Sequence, residues 1–299
     1  MTHTQPSRLG RQGRIGLAIA SIGAGVLLLL QSPASGHRAD HQRINIGLQL
    51  YSLRAQLAKD VPDSLALVEK WGITDVETAG FYGMTARQFR QELDRHHLHA
   101  SGGHFGWERF AGNINDVIRD AKTLGCEYVT IPWVPHGSQF TEKDARMAIK
   151  NFNAWGRKCA DAGLKFTYHA HGYEFRPYKE GTLFDLIAHE TNPQFVNFEL
   201  DIFWASHGGA DPVKLMQKYP TRFLQMHLKD MRKGVKTGKY TGHEDVRNDV
   251  VFGTGQLDLP AILAEAERIG IKHYYIEDES PDSERQIPQS MKYIRTIGF

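Results

Sequence analysis

Short runs of alternating apolar and polar residues recur along this chain, each followed by a longer stretch with apolar positions three and four apart. The first pattern is that of strands and the second that of amphipathic helices. Ile44–Ser52, Thr74–Glu77, His99–Gly103 running into His104, Tyr128–Trp133, Leu164–His171, Phe195–Asp201, Phe223–His227 and His273–Glu277 read as strands. Between and after them, Asp60–Trp71, Thr85–His97, Asn113–Leu124, Thr141–Ala162, Thr182–Glu190, Pro212–Lys218, Leu259–Ile269 and Gln286–Thr296 read as helices. Gly72, Gly125, Gly163 and Gly270 stand where four of these helices should stop. This alternation over residues 44–299 has the order and size of an α/β fold of the (β/α)8 TIM barrel type. A doubly wound open sheet is the rival, but no Gly-x-Gly-x-x-Gly follows the first strand.

The most informative strand is Leu164–His171. Phe166 and Tyr168 fall on one face, with Thr167, His169 and His171 on the other. The aromatic face calls for packing, and the histidine face for a ligand, a carboxylate or water. Three later strands also end in metal-binding residues: VNFELD in Asp201, FLQMH in His227, and HYYIE in Glu277. Strand C-termini of a barrel converge on one mouth, so His169, Asp201, His227 and Glu277 are the candidate ligands of one divalent ion. Mn, Mg, Zn, Co and Fe all suit such a donor set. His171 then becomes a group facing substrate or supporting a ligand. Glu77 and His104 end the second and third strands, where each is a candidate acid, base or partner of a sugar hydroxyl. Glu174 and Lys229 are further catalytic candidates. Phe81, Trp107, Trp133 and Trp204, at or beyond strand ends, are candidate stacking surfaces for a sugar. The polar, Gly- and Lys-rich segment 230–251 is long for a loop and is expected on the same face.

Composition adds little until the N-terminus. With 41% hydrophobic and 23% charged residues and a formal net charge of +2, the chain is an ordinary globular one without a basic nucleic-acid face. Fifteen histidines favour metal chemistry. Cys126 and Cys159 form no Cys-x-x-Cys pair and are expected to pack as small hydrophobes, a single bridge being the alternative. Arg8, Arg11 and Arg14 precede the apolar run Ile15–Leu30, and small residues follow at Ala34, Ser35 and Gly36. This reads as an export signal over residues 1–36 and a linker over 37–43, with periplasmic or secreted destination. An uncleaved membrane anchor is the alternative, although the run is shorter than most membrane spans.

The chain resembles the sugar isomerase/epimerase-like branch of the xylose isomerase-like TIM barrels. The resemblance covers residues 44–299. It is carried by QLYSLR at 49–54, YHAHGYEF at 168–175, ELDIFWASHGGADP at 199–212, MHLKD at 226–230, FGTGQLDLPAIL at 252–263 and YYIEDE at 274–279. It implies a metal held by groups from strands five to eight, which match His169, Asp201, His227 and Glu277. One departure matters. The ketose 3-epimerases of this superfamily carry a metal-bound glutamate on strand five, opposite the strand-eight glutamate; here His169 stands in its place. Metal-assisted enolisation by one base is then expected, with Glu277, His104, His171 or Glu174 moving the proton. That suits a sugar isomerase or epimerase-like enzyme acting on a non-phosphorylated sugar. A keto-sugar dehydratase or 3-keto-glycoside lyase on the same metal is the second reading, and a non-catalytic exported sugar-binding protein the third. The expected partner is a small sugar, with no nucleic acid, and with membrane contact only through an uncleaved N-terminus. Cleavage of abasic DNA, which the superfamily also includes, is opposed by the charge and the export signal.

Overall fold

The structure is a computed structural model that describes residue 44 and residues 46–299. The expected export signal and linker, residues 1–43, lie outside the described residues. Among those described, no helix is long and apolar enough to cross a membrane.

Eight parallel strands close into a barrel in sequence order: Ile46–Gln49, Asp75–Thr78, His99–His104, Tyr128–Ile131, Lys165–His169, Val196–Asp201, Phe223–Leu228 and His273–Ile276. We refer to them as strands one to eight. Strand one pairs with strand eight, Leu48 opposite Ile276, and completes the ring. Helices cover the outside, so the outward face of each strand is apolar. In strand five Phe166 and Tyr168 point outward onto Phe152 of helix Glu142–Asp161, with ring centroids 5.4 and 4.8 Å apart. Thr141 caps that helix in a reciprocal box with Asp144.

The inside of the barrel is polar. Thr130 and Thr167 share a hydrogen bond of 2.6 Å, and Thr167 donates to Gln225 at 3.0 Å. Gln49 donates to Glu77 at 2.6 Å, and Ser101 joins Asp75 and Tyr275 lower in the barrel. Each of these side chains is buried, and the network meets their hydrogen-bonding needs. Two register shifts lie beside the carboxylates Glu77 and Glu199: Val76 pairs with Ala100 but Glu77 with Gly102, and Phe198 pairs with Phe223 but Glu199 with Gln225. Such bulges re-aim side chains near functional sites. Gly102 is required here, because a Cβ would lie 2.9 Å from Nε2 of Gln225 and 3.1 Å from Oε1 of Glu77.

Several boundaries differ from the pattern-based expectation. The third outer helix runs Trp107–Leu124, and Asn113 has a non-helical φ of −157° inside it, so periodicity reports only the part after the break. The last helix begins at Ser283 instead of Gln286. Ile202–His207 is a helix that the apolar pattern hides, started by the Asp201 carboxylate accepting from the Trp204 N–H at 2.8 Å. The segment after strand seven is ordered by pairing of Asp230–Met231 with Asp249–Val250. Asp230 accepts backbone N–H groups of Gly253 and Gly255 at 3.0 and 2.8 Å. Cys126 and Cys159 are free and buried, so the alternative of a bridge does not hold, and burial pushes both thiols up to about 12.

Candidate metal centre and cavity

His169, Asp201, His227 and Glu277 are brought together at the C-terminal ends of strands five to eight, one ligand atom from each lying within 4.8 Å of all the others. Nε2 of His169 is 3.5 Å from Oδ2 of Asp201, and Nδ1 of His227 is 3.7 Å from the same oxygen and 3.3 Å from Oε2 of Glu277. Metal–ligand bonds of about 2.0–2.2 Å place neighbouring donors roughly 3–3.6 Å apart, close to these spacings.

The hydrogen-bond partners assign the imidazole tautomers. Nε2 of His227 lies 2.8 Å from Oε2 of Glu77, a carboxylate that can only accept, so the His227 proton is on Nε2 and Nδ1 carries a lone pair. Nδ1 of His169 lies 3.2 Å from Nδ1 of His171. Donation from His169 to His171 leaves Nε2 of His169 bare. Nε2 of His169, Oδ2 of Asp201 and Nδ1 of His227 are buried and have no hydrogen-bond partner. Lone pairs converging on one point without a donor between them are costly unless a cation joins them. The residues therefore fit a divalent ion.

The charges agree. Burial opposes the charge on His227, but the carboxylates of Glu199 and Glu277 outweigh it and raise its pKa well above the ordinary imidazole value. A field that holds a proton this strongly also favours a divalent cation in its place. Burial works against the Glu277 carboxylate too, and Lys229 and His227 overcome it and hold its pKa well below the usual range. Lys229 is buried beside Glu277 at 3.4 Å and Asp249 at 3.5 Å, and it also pairs with Glu279.

A second cluster, Glu77, His104, Glu199 and His227, lies directly alongside and shares His227. Its contacts join imidazoles to carboxylates: His104 Nε2 donates to Glu199 at 2.9 Å and lies 3.1 Å from Oε2 of Glu77. Burial lowers the His104 pKa, but Glu77 and Glu199 outweigh it and lift it to about 9. Glu77 has no exposed surface, so it braces two imidazoles and does not reach a sugar from the mouth as its strand-end position suggested. Glu174 is likewise out of reach. It is buried, accepts from the Tyr168 hydroxyl and the His171 N–H, and is pushed up to about 7 by burial. Its part is to hold the turn that carries His171. Trp107 is taken up outside the barrel by Trp155, 4.7 Å between centroids, and by Phe152. Phe81 packs on Phe89 and Phe105.

Above the four ligands opens a cavity of about 480 Å3. His104, His169, His171 and Glu277 reach it from the barrel, and Trp133 and Trp204 are among its walls. His171 packs against both tryptophans, with centroids 5.1 and 5.5 Å apart. Burial, then the neighbouring His169, lowers its pKa well below the ordinary value, so it is neutral. The segment after strand seven forms another wall through Gly242–Val246. Glu244 ties it down by accepting from Nε2 of His207 at 2.9 Å and from Lys239 at 2.7 Å. Asp249 and Glu279 also line the cavity. Sequence reasoning missed both, and Glu199 as well. Glu199 was detectable, having the parity of Asp201 two residues on. Asp249 carried no signal, because the pairing of its segment with Asp230–Met231 is what brings it here.

The chain matches the family model "Xylose isomerase-like TIM barrel" over residues 65–297. Inosose dehydratase of Mesomycoplasma hyopneumoniae (strain 7448) is 24% identical over 236 residues, covering 72% of this chain and 74% of the relative. That of strain J is 28% identical over 227 residues, covering 69% and 71%. A sugar phosphate isomerase/epimerase from Parabacteroides distasonis superposes with a TM-score of 0.69 at 26% identity, covering 86% of this chain and 95% of that one. The IOLI protein, solved with a zinc atom bound, shares the fold at 15% identity and a TM-score of 0.66, covering 85% and 98%. With the model matched over most of its length and the closed eight-stranded barrel it describes, the chain belongs to the xylose isomerase-like TIM barrel family.

Proposed function

We propose that this protein is a divalent-metal-dependent enzyme that enolises a non-phosphorylated sugar or sugar derivative, with isomerisation or epimerisation as the outcome. The reading is carried by one observation: unpartnered lone pairs of His169, Asp201 and His227 converge beside Glu277 on the floor of an aromatic-walled cavity. A divalent ion there supplies Lewis acidity toward a carbonyl and its neighbouring hydroxyl. The chain supplies the rest. Glu277, kept ionised by Lys229, is the base that takes the proton from the carbon next to the carbonyl. His104, anchored at Nε2 by Glu199 and Glu77, donates a proton toward the substrate oxygen. His171 orients hydroxyls, and Trp133 and Trp204 exclude water and offer faces to the sugar ring.

The absence of phosphate from the substrate is supported by the walls. Five acidic residues line the cavity, Glu244, Asp245, Asp249, Glu277 and Glu279, and among the described residues no Arg or Lys does so. A phosphate group needs cationic or N–H donors. The name of the Parabacteroides relative mentions a phosphate; this cavity favours neutral ligands.

Dehydration is a second reading, favoured by Asp249 and by the dehydratases among the relatives. Burial pushes the Asp249 carboxyl up to about 8 against the pull of Lys229, giving an acid in the wall that can protonate a departing hydroxyl. Incubation with aldoses, ketoses and keto-sugars in D2O with Mn2+ separates the fates. Isomerisation conserves the mass apart from deuterium taken up at carbon, and dehydration removes one water. Turnover confined to phosphosugars would reject the proposal.

A further inference from the structure

The sugar cavity does not end at its rim. A second cavity of about 570 Å3 adjoins it, and the two share Asp245, Val246 and Glu279 in their walls. The neck between them joins apolar and acidic groups: Val246 stands there with Asp245 and Glu279, and Tyr51 lies on its sugar-cavity side. Among the described residues three large hydrophobic side chains are strongly exposed, Tyr51 at 42%, Val246 at 37% and Ile297 at 38%. Single exposed hydrophobics are ordinary, but two of these three stand in the wall of the same cavity. Tyr51 is held in place there: the Arg54 guanidinium lies 4.5 Å from its ring centroid, donates to the Tyr51 carbonyl at 3.0 Å, and donates to the Glu279 carbonyl at 2.9 Å. Beyond the neck the walls become polar, with Arg54, Gln56, Arg247 and Ser280 among them.

We infer that the second cavity is a subsite for a second sugar residue, so that the substrate is a disaccharide or other glycoside whose reacting unit sits over the metal ligands. The inference rests on the sugar-enolising reading above and extends it to the size of the substrate. A fixed aromatic ring followed by planar polar and hydroxyl groups matches a pyranose, which offers an apolar C–H surface and a ring of hydroxyls. A free monosaccharide would leave the neck and the second cavity in water. An apolar substituent would meet Tyr51 and Val246 favourably but then face Arg54, Gln56 and Arg247.

The test is calorimetric binding of glucose against cellobiose, and xylose against xylobiose, to the full Mn2+-loaded protein. The disaccharide of each pair should bind about tenfold more tightly. Ala55→Trp, at an exposed position that lines only the second cavity, should abolish that advantage and leave monosaccharide affinity unchanged. Tyr51→Ala should weaken the disaccharide more than the monosaccharide, which keeps the question answerable if one variant misfolds. Equal affinity of wild type for both members of each pair overturns the subsite while sugar binding stands. So does an Ala55→Trp protein that retains the full disaccharide advantage. Binding of neither class overturns the sugar reading and this inference together.

Discussion

Nε2 of His227 and Oε2 of Glu77, 150 positions apart in sequence, lie 2.8 Å from one another at the centre of the barrel. The contact decides which nitrogen of His227 can bind an ion. Glu77→Gln keeps the size of the side chain and removes its charge. Metal affinity should fall about 10–100-fold, as for other groups that orient a ligating histidine. Competition against a chromophoric chelator measures this, and an unchanged affinity would mean that Glu77 only fills space.

Asp201 has two tasks that substitutions can separate. One oxygen caps helix Ile202–His207 and the other faces the ligand cluster. Asp201→Asn should keep the cap, whereas Asp201→Ala should cost the metal-free protein about 1 kcal/mol of stability. Both should lose stoichiometric metal. Urea melts read the first effect and equilibrium dialysis the second.

Asp249 predicts a pH dependence of stability. Its folded-state pKa of about 8, raised by burial, lies above the unfolded value near 4. The folded state then binds the extra proton between these limits. The contribution is fully present below pH 4 and is lost as pH rises toward 8, with a slope of up to about 1.4 kcal/mol per unit. Chemical denaturation of wild type and Asp249→Asn at pH 5, 6, 7 and 8 should show this loss in the wild type and a flatter profile in the variant.

Tyr168 donates its hydroxyl to the buried carboxyl of Glu174. Tyr168→Phe leaves that group short of a donor and should destabilise the protein by about 1–3 kcal/mol. Metal affinity should change little, because Glu174 supports His171 and does not touch the ligand cluster. A large loss of metal without loss of stability would contradict this assignment.

The N-terminal pattern predicts export. Full-length protein expressed with a secretion-competent host should appear outside the cytoplasm with its N-terminus near Ala34–Gly36. Intact-mass measurement of that fraction checks it, and an unprocessed mass would favour the anchor.

What the sequence made legible was periodicity and parity. The aromatic-out, histidine-in alternation of strand five and the parity of Asp201 within VNFELD need only a regular strand, and both put side chains where the closed barrel has them. Glu77 was misplaced because parity reveals a face but not a depth. It lies buried below the rim, where Gln49, His104 and His227 take it up, and that depth leaves no trace in spacing. Trp107 was misplaced because an aromatic residue after a strand serves a cavity or a helix interface equally well, and Trp155, distant in sequence, decides between them. Asp249 acquires its position from a segment whose geometry depends on pairing with Asp230–Met231, and Tyr51 from a 3-10 turn, Leu50–Leu53, that ends strand one sooner than the apolar pattern suggests.

The most direct measurement is anomalous diffraction from a crystal of this protein soaked with Mn2+. A single peak is predicted about 2.0–2.3 Å from Nε2 of His169, Oδ2 of Asp201, Nδ1 of His227 and a carboxylate oxygen of Glu277. No peak at full soak, or one coordinated elsewhere while these four side chains keep their positions, would contradict the account.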